Sequence, residues 1–284
     1  MGAAKNTSGA VELENLELSR VMYDNIANKM YSIAGVNLPY SPKNEALIRN
    51  RIVKVMRRRG IASYEDYWEI VSKNLKSDID EFVSALTTNM TSFFRESSHF
   101  DFLRKEIPNV AKKFGDVRVW CSASSTGQEP YTIAMTLADG LNGNINRVKV
   151  LATDIDLRVL KEAAIGIYEE RDIQGLDKQH EEQYFEKFTR DGLNYVRVKD
   201  QLHRMLTFAP FNLMEQKYKF NNKFHIIFCR NVLIYFDEET TKRVIDNLVS
   251  CLEKDGYLIL GHSESGNIKH PHLKPLTRAV YQKV

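Results

Sequence analysis

The chain has 284 residues, of which 43% are hydrophobic, 10% aromatic and 27% charged, enough for one large or two modest globular cores. A formal net charge of +3 implies no particular partner, and three cysteines in apolar surroundings without a CxxC pair exclude a disulfide framework and a cysteine metal site. Apolar runs fall far short of a membrane span and residues 1–18 lack the apolar middle of a signal peptide, so the expectation is a cytoplasmic protein with a disordered tail over 1–18.

Residues 19–90 read as a helical domain. Met22, Ile26, Met30 and Ile33 recur at helical spacing, and Gly35 and Pro39 punctuate the chain after them. A second helix runs from Lys43 to Arg59, with Leu47, Ile48, Ile52, Val55 and Met56 inward and Gly60 as its stop. Ser63 with Asp66, and Ser77 with Asp80, each fit a helix-start signal. Residues 91–97 read as a linker. From residue 98 the rhythm turns to strand, loop, helix, with strands over Val117–Trp120, Val148–Thr153, Phe224–Cys229, Tyr257–Gly261 and Ala279–Gln282. Asp156 and Asp237 sit where helix caps belong. The fold class is therefore α/β, a mostly parallel sheet behind a small helical domain. Residues 168–206 break the alternation and read as an insertion, part helix and part small hairpin; a plain structural crossover and an interaction role both fit the pattern.

The first strand leads into 120-WCSASSTGQEPYTIAM-135, a loop of small residues opening a helix. A pyrophosphate needs several glycines and backbone N–H groups at such a turn. Here Gly127 stands alone, no lysine is present, and Glu129 would face the phosphates with a repulsion of roughly 1–4 kcal/mol at ~4 Å. The loop suits a nucleoside without phosphates, with an acid for a cation or hydroxyls. Asp154 at the next strand tip suits a ribose, and Asn212 in 211-FNLM-214 suits an adenine edge. Arg230, Asn231 and Tyr235 follow the third strand. S-adenosylmethionine, an adenosyl sulfonium without phosphate, matches this set. Plainer readings stand beside it: Glu129 as a helix-dipole partner, Asp154 as a solvent-facing acid, the asparagines as turn residues, Tyr235 as core. The seven histidines form no HxH or HExxH arrangement, so no metal is expected.

The runs 86-LTTNMTSFFRESSHF-100, ASSTGQEPYTIA, ATDIDLRVL, 226-IIFCRNVLIYFD-237 and 261-GHSES-265 resemble the chemotaxis receptor methyltransferase (CheR) family over nearly the whole chain. The resemblance implies a Rossmann-like S-adenosylmethionine-dependent methyltransferase sheet with an antiparallel last strand, an all-helical N-terminal domain, and a β-subdomain over 168–206. It implies methyl transfer to glutamate side chains of chemoreceptors, with S-adenosylhomocysteine as product. Family cofactor contacts carry over onto Asn89, Thr91, Arg95, Glu129, Asp154, Asn212, Leu213, Arg230 and Asn231, and Arg95 and Tyr235 match the residues nearest the transferred methyl. Gln128 departs from relatives that have a second Glu there.

In the family the β-subdomain can grip a peptide at a receptor's C-terminal tail; these residues leave that open. The helix over 43–59 carries seven basic residues and one acid, Glu45; a solvated face is the plain reading, and the resemblance favours a docking face for acidic receptor helices. Two alternatives remain. One is a methyltransferase for nucleic acid or another substrate, against which Arg230-Asn231-Val232-Leu233 lacks an Asn/Asp-Pro-Pro-aromatic tetrad. The other is a non-catalytic receptor-binding adaptor, against which Arg95, Glu129, Asp154 and Tyr235 are retained.

Overall fold

The computed structural model describes residues 16–264, 266 and 268–284. The tail expected over 1–18 lies outside the described residues as far as residue 15, and Leu18 is buried. Two compact units result, Met1–Ile33 with Asn37–Thr87, and Ala34–Val36 with Thr88–Val284. No helix among the described residues is long and apolar enough to cross a membrane.

The first unit holds α1 (Arg20–Ala34), α2 (Pro42–Arg59), α3 (Tyr64–Ser72) and α4 (Lys76–Leu86). The predicted stripe of α1 is inward, with Met22, Ile26 and Met30 buried. Ser41 caps α2 by accepting the Asn44 N–H, and Gly60 ends it in the left-handed region at φ 68°. Ser63 caps α3 as its spacing predicts. The expected start at Ser77 is a correction. The α4 helix begins at Lys76 after Leu75, without a side-chain cap, and Asp78 in its first turn pairs instead with Arg59 at 2.8 Å. Three cations of α2 are used within this unit. Arg51 donates to the carbonyls of Leu86 and Thr87, the open carbonyl end of α4, at 2.7 and 2.8 Å. Arg58 and Arg59 both reach Glu81.

The second unit opens with α5 (Ser98–Phe114) and β1 (Val117–Cys121), followed by α6 (Gln128–Gly140), β2 (Val148–Asp154) and α7 (Leu157–Ile165). Next come β3 (Ile167–Glu169), α8 (Lys178–Tyr184), β4 (Phe185–Arg190), β5 (Leu193–Val198), α9 (Asp200–His203) and β6 (Leu206–Pro210). The chain closes with β7 (Phe224–Cys229), α10 (Glu238–Cys251), β8 (Leu252–Leu260), β9 (Leu273–Thr277) and β10 (Val280–Lys283). Seven strands form one sheet in the order β6-β2-β1-β7-β8-β10-β9. The strands β6, β2, β1, β7 and β8 pair in parallel, and β10 runs antiparallel between β8 and β9.

Strand alternation divides the core between the two faces of the sheet. Val119, Cys121, Ile226 and Phe228 join one cluster with residues of α5 and α6, while Trp120, Ile227 and Cys229 join the other with residues of α10. Because β1 pairs with β2 on one side and β7 on the other, the strand order reverses beside it. In such sheets ligands bind outside the carboxyl ends of the strands at this point of reversal.

Two strands escape the sequence pattern. The insertion, expected to run to residue 206, ends before β6, which starts at Leu206 and pairs in parallel with β2 as far as Pro210. As an edge strand β6 is only partly buried and ends on proline, so it lacks the continuous apolar run of β7. The insertion itself is a three-stranded antiparallel sheet, β3-β5-β4, rather than a single hairpin. His180 of α8 ties it to α6, reaching Asp139 at 2.9 Å and its own helix cap Asp177 at 2.6 Å. Within residues 91–97, Phe93 is buried edge-to-face against Tyr168 and Phe185, and Glu96 is ion-paired.

Candidate functional site at the carboxyl ends of the strands

The loop after β1 is shaped by its neighbours. Gly127 caps α6 at φ 101°, and a Cβ there would lie 2.5 Å from the Tyr168 hydroxyl and 2.9 Å from the Ala163 methyl. The lone glycine thus answers to packing against α7 and β3 rather than to a diphosphate. Tyr168 holds the same turn by donating to the Thr126 carbonyl at 2.8 Å. The helix begins at Gln128, two residues before the expected Pro130, which places Glu129 in its first turn.

Glu129 and Arg230 form the centre. Both are buried, and Arg230 Nη1 lies 2.7 Å from Glu129 Oε2. Cys121 donates its S–H to Glu129 Oε1 at 3.2 Å. Arg230 Nη2 also reaches the Arg95 carbonyl and, at 3.1 Å, Glu96 Oε2. Burial pushes the Glu129 carboxyl up, and the guanidinium pulls it part of the way back. Burial alone would lower Arg230, but the two carboxylates outweigh it and raise its pKa, so it stays charged. Removing either partner of such a buried pair strands the other, at a cost of about 3–5 kcal/mol.

Glu96 extends this network. Its Oε1 accepts from Asn231 Nδ2 at 3.3 Å, and its Oε2 accepts from the His262 N–H at 3.1 Å. Burial acts to raise its pKa, but the bonds from Arg230 and Asn231 win and hold it low. With His99 and His262 it places three potential metal ligands within 4.8 Å. Both Glu96 oxygens already accept N–H groups, one of them from a guanidinium, so the group secures Arg230 and does not fit a cation. The buried ring of His99 lies edge-on to His262, and burial and Arg230 depress its pKa to about 4.

A second cluster surrounds Asp154. Its Oδ2 accepts the Ser125 N–H at 2.8 Å and its Oδ1 the Asp156 N–H at 3.0 Å. Burial still raises the carboxyl to about 6, against the backbone bonds from Asp156, Ser125 and Ile155. Asn89 braces this corner, donating to Asp156 Oδ2 at 2.9 Å and accepting the Ser125 hydroxyl on its carbonyl at 2.8 Å.

The structure therefore joins Glu129, Arg230, Asn231 and the Arg95 backbone in one network, and Asn89 and Asp154 in another. Other predicted residues are placed less directly. The Arg95 guanidinium folds back to the Met90 carbonyl at 2.9 Å. Asn212 forms an Asx turn, accepting the Met214 N–H at 2.9 Å, and Leu213 is buried beside it. Thr91 and Tyr235 are half-buried, Tyr235 at the end of a short 3-10 turn, Leu233–Tyr235. Asn231 is a turn residue with φ 57° as well as a network member.

Sequence reasoning missed Glu96, Ser125, Asp156 and Glu264 as parts of the site. Glu96 and Glu264 lie inside quoted motifs, and a carboxylate beside a buried arginine was the available signal. Among the described residues, Phe94, Glu96, Ser125 and Asn231 are non-glycine residues at positive φ, all within segments that build this site. Each such conformation costs on the order of 1–3 kcal/mol and persists only where surroundings impose it.

The donor set suits an adenosyl sulfonium compound. Two buried acids stand beyond adjacent strands, Glu129 in the first turn of α6 and Asp154 at the end of β2, the loop has no lysine, and Ser124 Oγ and Arg230 Nε are buried without hydrogen-bond partners.

Comparison with known proteins agrees. Residues 22–87 match the "CheR methyltransferase, all-alpha domain" and residues 89–281 the "CheR methyltransferase, SAM binding domain". The chain is 39% identical over 253 residues to the chemotaxis protein methyltransferase of Escherichia coli, covering 89% of this chain and 87% of that one. It is 37% identical to the Borreliella burgdorferi protein of the same description, covering 93% and 95%. The Salmonella typhimurium counterpart is 38% identical, covering 89% and 86%.

Proposed function

The chain belongs to the CheR methyltransferase family, and on that premise we propose that it methylates glutamate side chains of chemoreceptors, forming γ-glutamyl methyl esters. S-adenosylmethionine supplies the methyl group, carried on a sulfonium, and S-adenosylhomocysteine is left. The observation that carries the reading is the pair of buried acids, Glu129 in the first turn of α6 and Asp154 at the end of β2, fixed by guanidinium and backbone donors respectively.

In this reading Asp154 accepts from the ribose hydroxyls, and Glu129 with Arg230 holds the charged amino-acid end. Asn89 and Asn231 brace the two corners, while Thr91, Asn212 and Leu213 line the adenosyl side. A receptor glutamate is already ionised at neutral pH and needs alignment rather than deprotonation. The task of the protein is then positioning. Arg95 swings from the Met90 carbonyl to orient the incoming carboxylate, and Tyr235 offers its hydroxyl beside the methyl.

The test is transfer of labelled methyl to receptor-bearing membranes. A base-labile product is expected, because methyl esters hydrolyse in mild base and N-methyl groups do not. Arg95→Ala is expected to lower turnover by about 100-fold with the melting temperature unchanged. A base-stable product would overturn the substrate class, and wild-type rates in the variant would remove Arg95 from the reaction. On the receptor side, the small sheet ends on β4, whose outer edge suits an added peptide strand. Titration with a receptor tail peptide reads this directly, and absence of binding removes that contact.

A further inference from the structure

The loop after β7 carries Arg230, Asn231 and Tyr235, and it is not held by a regular element. Its side chains meet Glu96 and Glu129, but its backbone is gathered by one side chain on the turn after β8. Glu264 Oε2 accepts the N–H of Asn231 at 2.8 Å and of Gly261 at 2.6 Å, while its Oε1 accepts the N–H of Leu233 at 2.8 Å. These bonds fall on either side of the bend. Asn231 is the residue at φ 57°, and Leu233 opens the 3-10 turn that ends at Tyr235. The Leu233 N–H is one of the donors that the start of a helical turn leaves without an internal partner. Gly261 completes the fit: a Cβ there would stand 2.5 Å from Glu264 Oε2 and 2.8 Å from Asn231 Nδ2. The carboxylate occupies the space that any other residue at 261 would fill.

We propose that Glu264 is a positioning residue for methyl transfer, which sets Asn231 toward the cofactor and Tyr235 toward the methyl by clamping both halves of this loop. The proposal rests on the methyltransferase reading above. Glu264 acts through the backbone, bonding the N–H groups of Asn231 and Leu233 rather than their side chains. Three convergent backbone donors need an acceptor with two equivalent oxygens. A glutamine puts an NH2 group against at least one donor, so Leu233 or the Asn231–Gly261 pair is released. An aspartate keeps both oxygens on a stem one methylene shorter.

The experiment compares wild type, Glu264→Gln, Glu264→Asp, Tyr235→Phe and the double variant Glu264→Gln/Tyr235→Phe. Readouts are kcat and KM for receptor methylation, and calorimetric affinity for S-adenosylhomocysteine. Glu264→Gln is expected to lower kcat about 100-fold and S-adenosylhomocysteine affinity about tenfold, with receptor KM unchanged. Glu264→Asp is expected to recover part of both losses. Because Glu264 works through Tyr235, the double variant should fall no more than about threefold below the worse single variant. A merely structural role would multiply the two single losses, and that result overturns the proposal. So does wild-type kcat and affinity in a folded Glu264→Gln protein. If Glu264→Gln does not fold, Glu264→Asp takes its place in the cycle under the same criteria. S-adenosylhomocysteine affinity reports on the clamp even if the receptor proves not to be the substrate, so the two readings fail separately.

Discussion

Asp154 stands at the end of β2 with each carboxylate oxygen already accepting one backbone N–H, yet burial keeps its pKa at about 6. The folded value is raised above the ordinary 3.8, so the group stabilises the fold fully below about pH 4, and this contribution is lost as pH rises through about 6. At neutral pH the ionised carboxylate is under-satisfied, and ligand hydroxyls that donate to it relieve that. Affinity for S-adenosylhomocysteine is therefore expected to fall as pH drops from about 7 to about 5, approaching tenfold per unit below the transition. Calorimetry across this range checks it, with Asp154→Asn giving a flat profile. A flat wild-type profile would show that Asp154 does not accept from the ligand. Gly127 makes a different residue-scale point. In the sequence it is the lone glycine of a loop that lacks the glycines a diphosphate needs, and the structure assigns it to the contact with Ala163 and Tyr168.

At the scale of elements, α2 shows why a count of charges overstates a docking face. Of its basic residues, Arg51 closes the carbonyl end of α4, while Arg58 and Arg59 are met by Asp78 and Glu81. Lys43 and Lys54, exposed and eleven residues apart, fall on one face after three turns. These two are the candidates for meeting an acidic receptor helix. Reversing both to glutamate is expected to raise the receptor KM severalfold while leaving kcat and the melting temperature in place. Wild-type methylation should slow between about 50 and 500 mM salt. A rate indifferent to both changes would place the receptor contact elsewhere. Exposed ion pairs such as Arg58–Glu81 contribute little by themselves, roughly 0–1 kcal/mol, whereas Arg51 satisfies the carbonyls of Leu86 and Thr87 at the end of α4.

For the molecule as a whole, the α/β architecture was legible wherever burial on both faces imposes a continuous apolar run. Phe224–Cys229 was placed to the residue, and the caps Asp156 and Asp237 stood where their spacing put them. The edges were not legible: β6, β9 and the third strand of the small sheet are short and half-exposed, and their pairing depends on partners distant in the chain. The acids and arginine of the site could be named from strand ends and from family motifs. What could not be read was who holds whom: Asp156 and Glu264 act through backbone N–H groups, which leave no residue-type signature, while Glu96 joins Arg230 to the His262 N–H across more than 130 residues of chain. The buried guanidinium of Arg230 has one last implication, for anyone cutting the chain. A fragment begun at Ser98, where regular α/β structure starts, would discard the Arg95 carbonyl and the Glu96 carboxylate and leave a sequestered cation with half its counter-charge. The natural place for the scissors is ahead of Thr88, ten residues upstream of the first helix of that unit.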